Sequence, residues 1–249
     1  MNSAWRHIWT ITKRELSAYF SSPVAYVFIV IFLLLTGFFT FMIGGFFERR
    51  EAVLSSFFMW LPWFFLILVP AVAMGLWAEE RRLGTIELLL TMPITAWQAI
   101  VGKFLASWAF LGLALGLTFP VVWTVNYLGS PDNGVIFCGY LGGLLMAGAY
   151  LAVGCMTSAI TRNQVVSFIL SVVICLFMIL AGWPPVTNFF IGVGAPNWLV
   201  ETVAAFSVMP HFESLQRGVI DSRDVLFFFS VIGFSLFTTG VIIRSQRAG

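Results

Sequence analysis

Residues 133–161 read NGVIFCGYLGGLLMAGAYLAVGCMTSAIT and contain no charged side chain. This stretch is longer than the roughly 20 apolar residues that an α-helix needs to cross a lipid bilayer. Of the 249 residues in the chain, 60% are hydrophobic and 10% are charged. Soluble domains are usually about 45–50% apolar and about 25% charged. The excess of apolar side chains therefore indicates a membrane protein.

Five further uncharged stretches predict transmembrane helices before and after this one. They are residues 24–47, 52–78, 104–131, 163–182 (where Trp183-Pro184-Pro185 ends the run) and 225–243. None of the six predicted span cores contains Asp, Glu, Lys, Arg or His. Carriers driven by protons or ions usually place ionisable groups within the membrane, so such a mechanism is disfavoured. The sequence predicts an all-α polytopic membrane protein with six transmembrane helices.

The distribution of basic residues predicts the orientation of these spans. With both termini in the cytoplasm, nine Lys and Arg residues lie in inner segments and four in outer segments, as the positive-inside rule requires. We therefore expect a multi-pass membrane protein with both termini cytoplasmic. A net charge of +2 with no basic run longer than two residues argues against a nucleic-acid partner.

Residues 4–20 predict an amphipathic helix that precedes the first span. One face carries Trp5, Ile8, Trp9, Thr12, Leu16, Tyr19 and Phe20, and the other carries Arg6, Thr10, Lys13, Arg14 and Ser17. Aromatic and basic residues in this arrangement favour a helix in the membrane interface, with Trp5, Trp9, Lys13 and Arg14 as its anchors. A cytoplasmic extension of the first span is the alternative.

The longest predicted cytoplasmic loop, residues 79–103, reads EERRLGTIELLLTMPITAWQAIVGK. Gly84 breaks the incoming helix, and Thr85 caps a short apolar helix that Pro93 ends. Thr95 and Gln98 have capping-box spacing and predict the start of the third membrane helix. An apolar helix exposed at this face needs a partner surface, with lipid headgroups as the alternative.

Four prolines, Pro184, Pro185, Pro196 and Pro210, interrupt the predicted outer segment 183–223. Residues 197–207 and 211–217 predict short helices within it. Apolar segments of this kind are typical of half-inserted or interfacial helices.

Motifs for catalysis or nucleotide binding are not found in the sequence. No GxxxxGK[ST] loop occurs, because Gly102-Lys103 is followed by Phe104, and HExxH and GxSxG do not occur either. We expect no catalytic, cofactor or metal residue in this chain and do not expect it to be an enzyme. Cys138, Cys155 and Cys175 are interpreted as packing residues, and His7 and His211 as capping or interfacial residues.

Three strings carry a resemblance to a known family: AEERRLGTIELLLTMPIT at 78–95, GKF at 102–104, and HFESLQRGVIDSRD at 211–224. They resemble the ABC-2 permeases, most closely the gliding-motility (GldF-like) branch. The resemblance extends over nearly the whole chain. It implies a single type V exporter transmembrane domain over residues 1–249, with 4–20 as its connecting helix.

The resemblance also implies how such a chain is driven. Segment 79–95 would be the coupling helix loop that docks on a separate cytoplasmic ABC ATPase, which would bind ATP and Mg²⁺. Its implied coupling residues are Glu79, Glu80, Arg81, Arg82, Gly84, Thr85, Ile86, Glu87, Leu88 and Leu89. Further implied partners are a second permease subunit, identical or related, and a GldG-like membrane protein with a large outer domain.

Three functions remain open at this point. The first is export of an amphipathic, lipid-linked or polysaccharide-type substrate. The second is an ATP-driven relay of force in motility, surface assembly or maturation of a metalloenzyme, without classical transport. The third, an intramembrane enzyme, is disfavoured because the span cores lack paired ionisable groups.

Overall fold

The computed structural model describes residues 3–46, 53–85, 95–192 and 196–245, which are helical almost throughout and contain no strand. The first six helices are α1 Ser3–Ser21, α2 Pro23–Phe38 (continued by a π-helical turn, Phe39–Ile43), α3 Ser55–Ala73, α4 Ala78–Leu83, α5 Ala96–Gly116 and α6 Phe119–Leu128. The others are α7 Asn133–Ile160, α8 Gln164–Leu180, α9 Pro184–Gly192, α10 Asn197–Ala204, α11 Val208–Gln216 and α12 Ser222–Ser245.

Five helical segments in the described ranges are long and apolar enough to cross a membrane. They are Pro23–Ile43, Ser55–Leu83, Ala96–Leu128, Asn133–Ile160 and Ser222–Ser245. A sixth is formed if α8 and residues Pro185–Gly192, which meet at a bend of 72°, are counted as one broken span. The predicted all-α polytopic architecture is thereby confirmed.

The third membrane helix begins earlier than the uncharged stretch 104–131 suggested. It starts after Thr95, whose hydroxyl accepts the Gln98 N–H at 3.3 Å, while the Gln98 side chain accepts the Thr95 N–H at 2.9 Å. This is the predicted capping box. The helix then continues through Lys103 and is interrupted at residues 117–118, ahead of Pro120. Lys103 therefore lies inside this helix, as the start predicted at Thr95 requires, although the uncharged run begins only at residue 104.

Helix α7 is the centre of the bundle. It packs against α3, α5, α8, α11 and α12, and its last turns contact α4. A Cβ atom at Gly143 would lie 2.7 Å from Leu61, so the absence of a side chain there allows α3 to approach closely. Small residues that admit a neighbouring backbone are a common basis of helix packing in membranes.

The bundle has two ends, which the contacts define. The α4 end comprises α4, the start of α5 and the ends of α7 and α12, where the Arg244 guanidinium lies 5.8 Å from the Trp97 ring. The α11 end comprises α11 and the starts of α7 and α12. Helices α10 (Asn197–Ala204) and α11 (Val208–Gln216) have nearly the same residue bounds as the two short helices predicted from residues 197–207 and 211–217.

Candidate functional site

Helix α4 follows α3 after a turn at residues 74–77 and is capped at its end by Gly84. The backbone of Gly84 has φ +72°, and its N–H bonds to the Glu80 carbonyl. Glycine adopts this left-handed conformation without the strain that a Cβ atom causes, and it is the usual residue at such a helix end. The helix break predicted at Gly84 is present in the structure. Thr85 follows it and donates its hydroxyl to the Glu80 carbonyl at 3.4 Å.

The start of α4 is held by Ser158 of α7. The buried Ser158 hydroxyl accepts the N–H groups of Trp77 and Ala78, both at 3.0 Å, and donates to the Met74 carbonyl at 2.9 Å. The first N–H groups of a helix lack partners within that helix. Because Ser158 supplies the partner from another helix, α4 and α7 are joined through backbone hydrogen bonds.

Two further side chains attach α4 to the same part of α7. The Trp77 indole N–H donates to the Cys155 sulfur at 3.1 Å, and the Arg81 guanidinium donates to the Ala159 carbonyl at 2.6 Å. A cation is favourable at this position because the C-terminal end of a helix carries partial negative charge. The described part of segment 79–95 is therefore anchored firmly to the central helix.

A chain of alternating charges connects three helices at this end. The ammonium of Lys103, whose side chain is 6% exposed, lies 2.8 Å from Glu80 and 3.4 Å from Glu15. Glu15 also pairs with Arg14 at 2.8 Å. Burial raises the pKa of Glu15, but the positive charges of Lys103 and Arg14 lower it further, so that it lies below its usual value. Two carboxylates compensate the loss of hydration of the buried ammonium.

Helix α1 lies along the first half of α5. The Thr12 hydroxyl donates to the Gly102 carbonyl at 3.2 Å, and the Tyr19 and Ser107 hydroxyls are 2.9 Å apart. A Cβ atom at Gly102 would lie 2.7 Å from Ile11, so α1 can sit this close only because residue 102 is a glycine. Burial, with a smaller contribution from the Glu15 charge, raises the pKa of Tyr19 to about 12.

The apolar face predicted for residues 4–20 is divided in the structure. Thr12 and Tyr19 pack on α5, whereas Trp5 and Trp9 are 63% and 68% exposed. Lys13 and Arg14 are also exposed. The aromatic and basic residues predicted as interfacial anchors thus lie on a free surface of α1, next to the face that packs on α5.

The predicted coupling residues have different environments. Glu79 and Arg82 are exposed and lie 3.7 Å apart, and Leu83 is 63% exposed. Glu80 faces inward to Lys103, and Arg81 is half-buried at the end of α7. Four predicted residues lie outside the described part of the chain: Ile86, Glu87, Leu88 and Leu89.

Sequence reasoning missed Lys103 and Glu15 as members of this site. Lys103 was treated as the residue that ends the loop before the third span. The capping box at Thr95 already indicated that the helix begins before Lys103, and combining the two observations would have placed this charge within a membrane helix. No comparable signal exists for Glu15, because its proximity to Lys103 depends on how α1 packs.

A second polar contact joins two helices at the α11 end. The His211 Nδ1 atom lies 2.7 Å from an Asp224 oxygen, and its ring stacks on Phe227 with 4.1 Å between centroids. His211 lies within α11, so its side chain bonds the first turn of α12 and does not cap its own helix. In the described ranges no group of three or more His, Cys, Asp or Glu residues is arranged to hold a metal ion.

These features define a class: a polytopic helical membrane protein with a short charged helix, α4, attached to its central helix α7. The model of the ABC-2 family transporter protein matches residues 47–212, which is more than half of the chain. The chain therefore belongs to the ABC-2 transporter family and is a permease subunit of an ABC transporter. Permeases of this family generally work with a cytoplasmic ATPase. A comparison with the curated proteins found no match.

Proposed function

We propose that this chain is the permease subunit of an ABC exporter and that a separate cytoplasmic ATPase drives it through segment 79–95. The α4 end then faces the cytoplasm, with both termini on that side of the bacterial inner membrane. The observation that carries the proposal is the attachment of α4 to α7 through Ser158, Trp77 and Arg81. A segment that is pushed by a partner transmits force only if it is fixed to the membrane bundle.

The position of α7 explains how such a push would spread. Its last turns hold α4, and the same helix packs against five other helices of the bundle. Packed helices transmit displacement because close-packed interiors are nearly incompressible. Closure of the ATPase would move α4 and α7 together and shift the bundle between two arrangements.

The exposed residues of α4 supply the contacts that a partner needs. Glu79 and Arg82 offer charges of both signs, and Leu83 adds an apolar side chain. Glu80 takes a different role under this proposal, because its carboxylate binds Lys103 and holds α4 in place. ATP and Mg²⁺ are assigned to the partner, since the chain carries no phosphate-binding loop.

The wider assembly follows from the same proposal. A second permease subunit, identical or related, completes the membrane domain. The strings at 78–95 and 211–224 favour the gliding-motility (GldF-like) branch, in which a GldG-like protein with a large outer domain is a further partner.

Substitution of Gly84 tests the role of this segment. Among the described residues no atom lies within 4 Å of a Cβ atom placed at Gly84, so the obstacle to a larger residue there is its φ of +72°. Gly84→Val should distort the exit of α4 and reduce ATP hydrolysis by the purified permease–ATPase complex at least several-fold. Gly84→Asn should preserve it, because Asn tolerates the left-handed conformation. Equal hydrolysis rates in the two variants, or a chain that binds no ABC ATPase, would overturn the proposal.

Labelling with a membrane-impermeant maleimide tests the orientation. The three native cysteines are buried, so introduced cysteines report alone. Thr85→Cys at the α4 end should be protected in intact spheroplasts and labelled in inverted vesicles. Tyr127→Cys, at an 87% exposed position near the opposite end, should show the reverse. Labelling of Thr85→Cys from outside would refute a cytoplasmic α4.

A further inference from the structure

We propose that Lys103 is a positioning residue that fixes α1, α4 and the first third of α5 as one body. The role of that body in coupling depends on the function proposed above, but its existence does not. Lys103 contacts no substrate or nucleotide in this account and acts through the helices that it joins.

The first step is the convergence of three separate helices on one ammonium group. Glu15 comes from α1, Glu80 from α4 and Lys103 from α5, and the two N–O distances are 3.4 Å and 2.8 Å. The Trp77 ring, just before α4, lies 5.6 Å from the same nitrogen. An ammonium has three donor hydrogens, which is enough to serve carboxylates from two other helices at once.

The second step concerns what the ammonium compensates. The chain Arg14, Glu15, Lys103 and Glu80 alternates in sign and is neutral in total. The second carboxylate oxygen of Glu80 is buried and has no hydrogen-bond partner among the described residues. Lys103 is therefore the principal compensation for the Glu80 charge, and removing it leaves a buried carboxylate facing another carboxylate nearby.

The third step is why a charge serves here better than an apolar contact. Apolar helix faces can slide over one another with little change in energy, since dispersion is not directional. A buried ion pair is often no more stabilising than apolar packing, but it fixes a register. Thr12 and Tyr19 already align α1 with α5, and Lys103 adds α4 to that alignment.

The consequence is a second route for force. Helix α4 is joined to α7 through Ser158 and to α5 and α1 through Glu80 and Lys103. A displacement of segment 79–85 would move α1 along with α7. Because α1 leads directly into the first span at Ser22-Pro23, that span would respond to the same push.

The contacts of Lys103 with Glu15 and Glu80 are called the joint below. Distances between spin labels on the chain in lipid nanodiscs test this joint without an ATPase. Labels at Ser17→Cys on α1 and Leu83→Cys on α4, both exposed positions, should give one narrow distance distribution. Lys103→Met should broaden it at least two-fold, and Lys103→Arg should keep it narrow. A matched pair at Phe137→Cys and Leu226→Cys, at the α11 end, should not change, which shows that the variant is folded.

Single neutralisations divide the joint into its two connections. Glu15→Gln should loosen α1 while α4 keeps its distance to α7, and Glu80→Gln should loosen α4 while α1 stays on α5. Each variant retains one ion pair with Lys103, so both also serve if Lys103→Met fails to fold. The proposal would be overturned if the distance distributions between the labels were as narrow in Glu15→Gln, Glu80→Gln and Lys103→Met as in the native chain.

A second measurement uses the complex with its ATPase. ATP binding should change the distance from Leu83→Cys to a label at Tyr127→Cys on α6, an 87% exposed position outside α7 and the joined helices, and, in the native chain, also that from Ser17→Cys. Glu15→Gln should keep the first change and lose at least half of the second. If neither label responds to ATP in the native complex, the proposed function fails, while the joint is still judged by the measurements on the chain alone. An unchanged response of Ser17→Cys in Glu15→Gln would contradict transmission through Lys103.

Discussion

Ser158→Ala is the most direct perturbation of the attachment between α4 and α7. The Ser158 side chain is fully buried and makes three hydrogen bonds, two from the N–H groups of Trp77 and Ala78 and one to the Met74 carbonyl. Alanine removes the oxygen with almost no change in volume. The two N–H groups then lose their partner in a site from which water is excluded.

The expected cost follows from these two donors. A buried donor left without a partner costs about 1–3 kcal/mol. The two N–H groups shared one oxygen, so we expect the free energy of local opening of this turn to fall by about 2–4 kcal/mol in total. At about 1.4 kcal/mol for each factor of ten, this corresponds to roughly 30- to 900-fold. The loss should be local, because the three hydrogen bonds of the Ser158 hydroxyl all go to residues 74–78.

Hydrogen–deuterium exchange on the chain in detergent or nanodiscs measures this opening. Amides of the peptide that covers residues 74–80 should exchange faster in Ser158→Ala by the factor above, while peptides from the centre of α7 should not change. Ser230→Ala is the matched control: this exposed hydroxyl bonds only the Leu226 carbonyl of its own helix, at 2.6 Å. An increase of less than three-fold at residues 74–80, or an equal increase in Ser230→Ala, would refute the reasoning.

Three further outcomes follow from single contacts. Gly102→Leu should separate α1 from α5, since even a Cβ atom at this position would lie 2.7 Å from Ile11. Cross-linking between the two helices should fall several-fold, and unchanged cross-linking would contradict the packing. Burial raises the pKa of Tyr19 from 10.0 to about 12, so the phenol contributes up to about 3 kcal/mol of stability, which is complete below pH 10 and is lost as pH rises through 12. Tyr19→Phe should therefore flatten the dependence of the melting temperature on pH in that window. His211→Ala should free α11 from Asp224 and increase proteolysis at residues 205–221, whereas His7→Ala, at an exposed position, should have no such effect.

Several features of the fold were predictable because they depend on neighbouring residues. The capping box at Thr95 and the left-handed end of α4 at Gly84 both follow from a few consecutive side chains. The break before Pro120 also has a local cause, because proline has no N–H to donate, yet the uncharged run 104–131 concealed it.

The third span shows that an uncharged run and a helix have different bounds. The run begins at residue 104, whereas the helix begins at the capping box of Thr95 and includes Lys103. The charge is tolerated in this buried position because two carboxylates from other helices lie beside it. The predicted coupling residue Glu80 lies in helix α4, and the direction of its side chain, toward Lys103, could not be read from the segment 79–95 alone.

The sequence by itself determined that this protein resides in a lipid bilayer and that its fold is all-α. Both depend on the hydrophobicity of consecutive residues, which the bilayer requires of every span. The tertiary structure alone decided which charges meet. Glu15 and Lys103 are 88 residues apart in the chain, and only the packing of α1 on α5 brings them together. No local pattern encodes that contact, because the two charges lie on helices that are far apart in the sequence and meet only in the folded bundle.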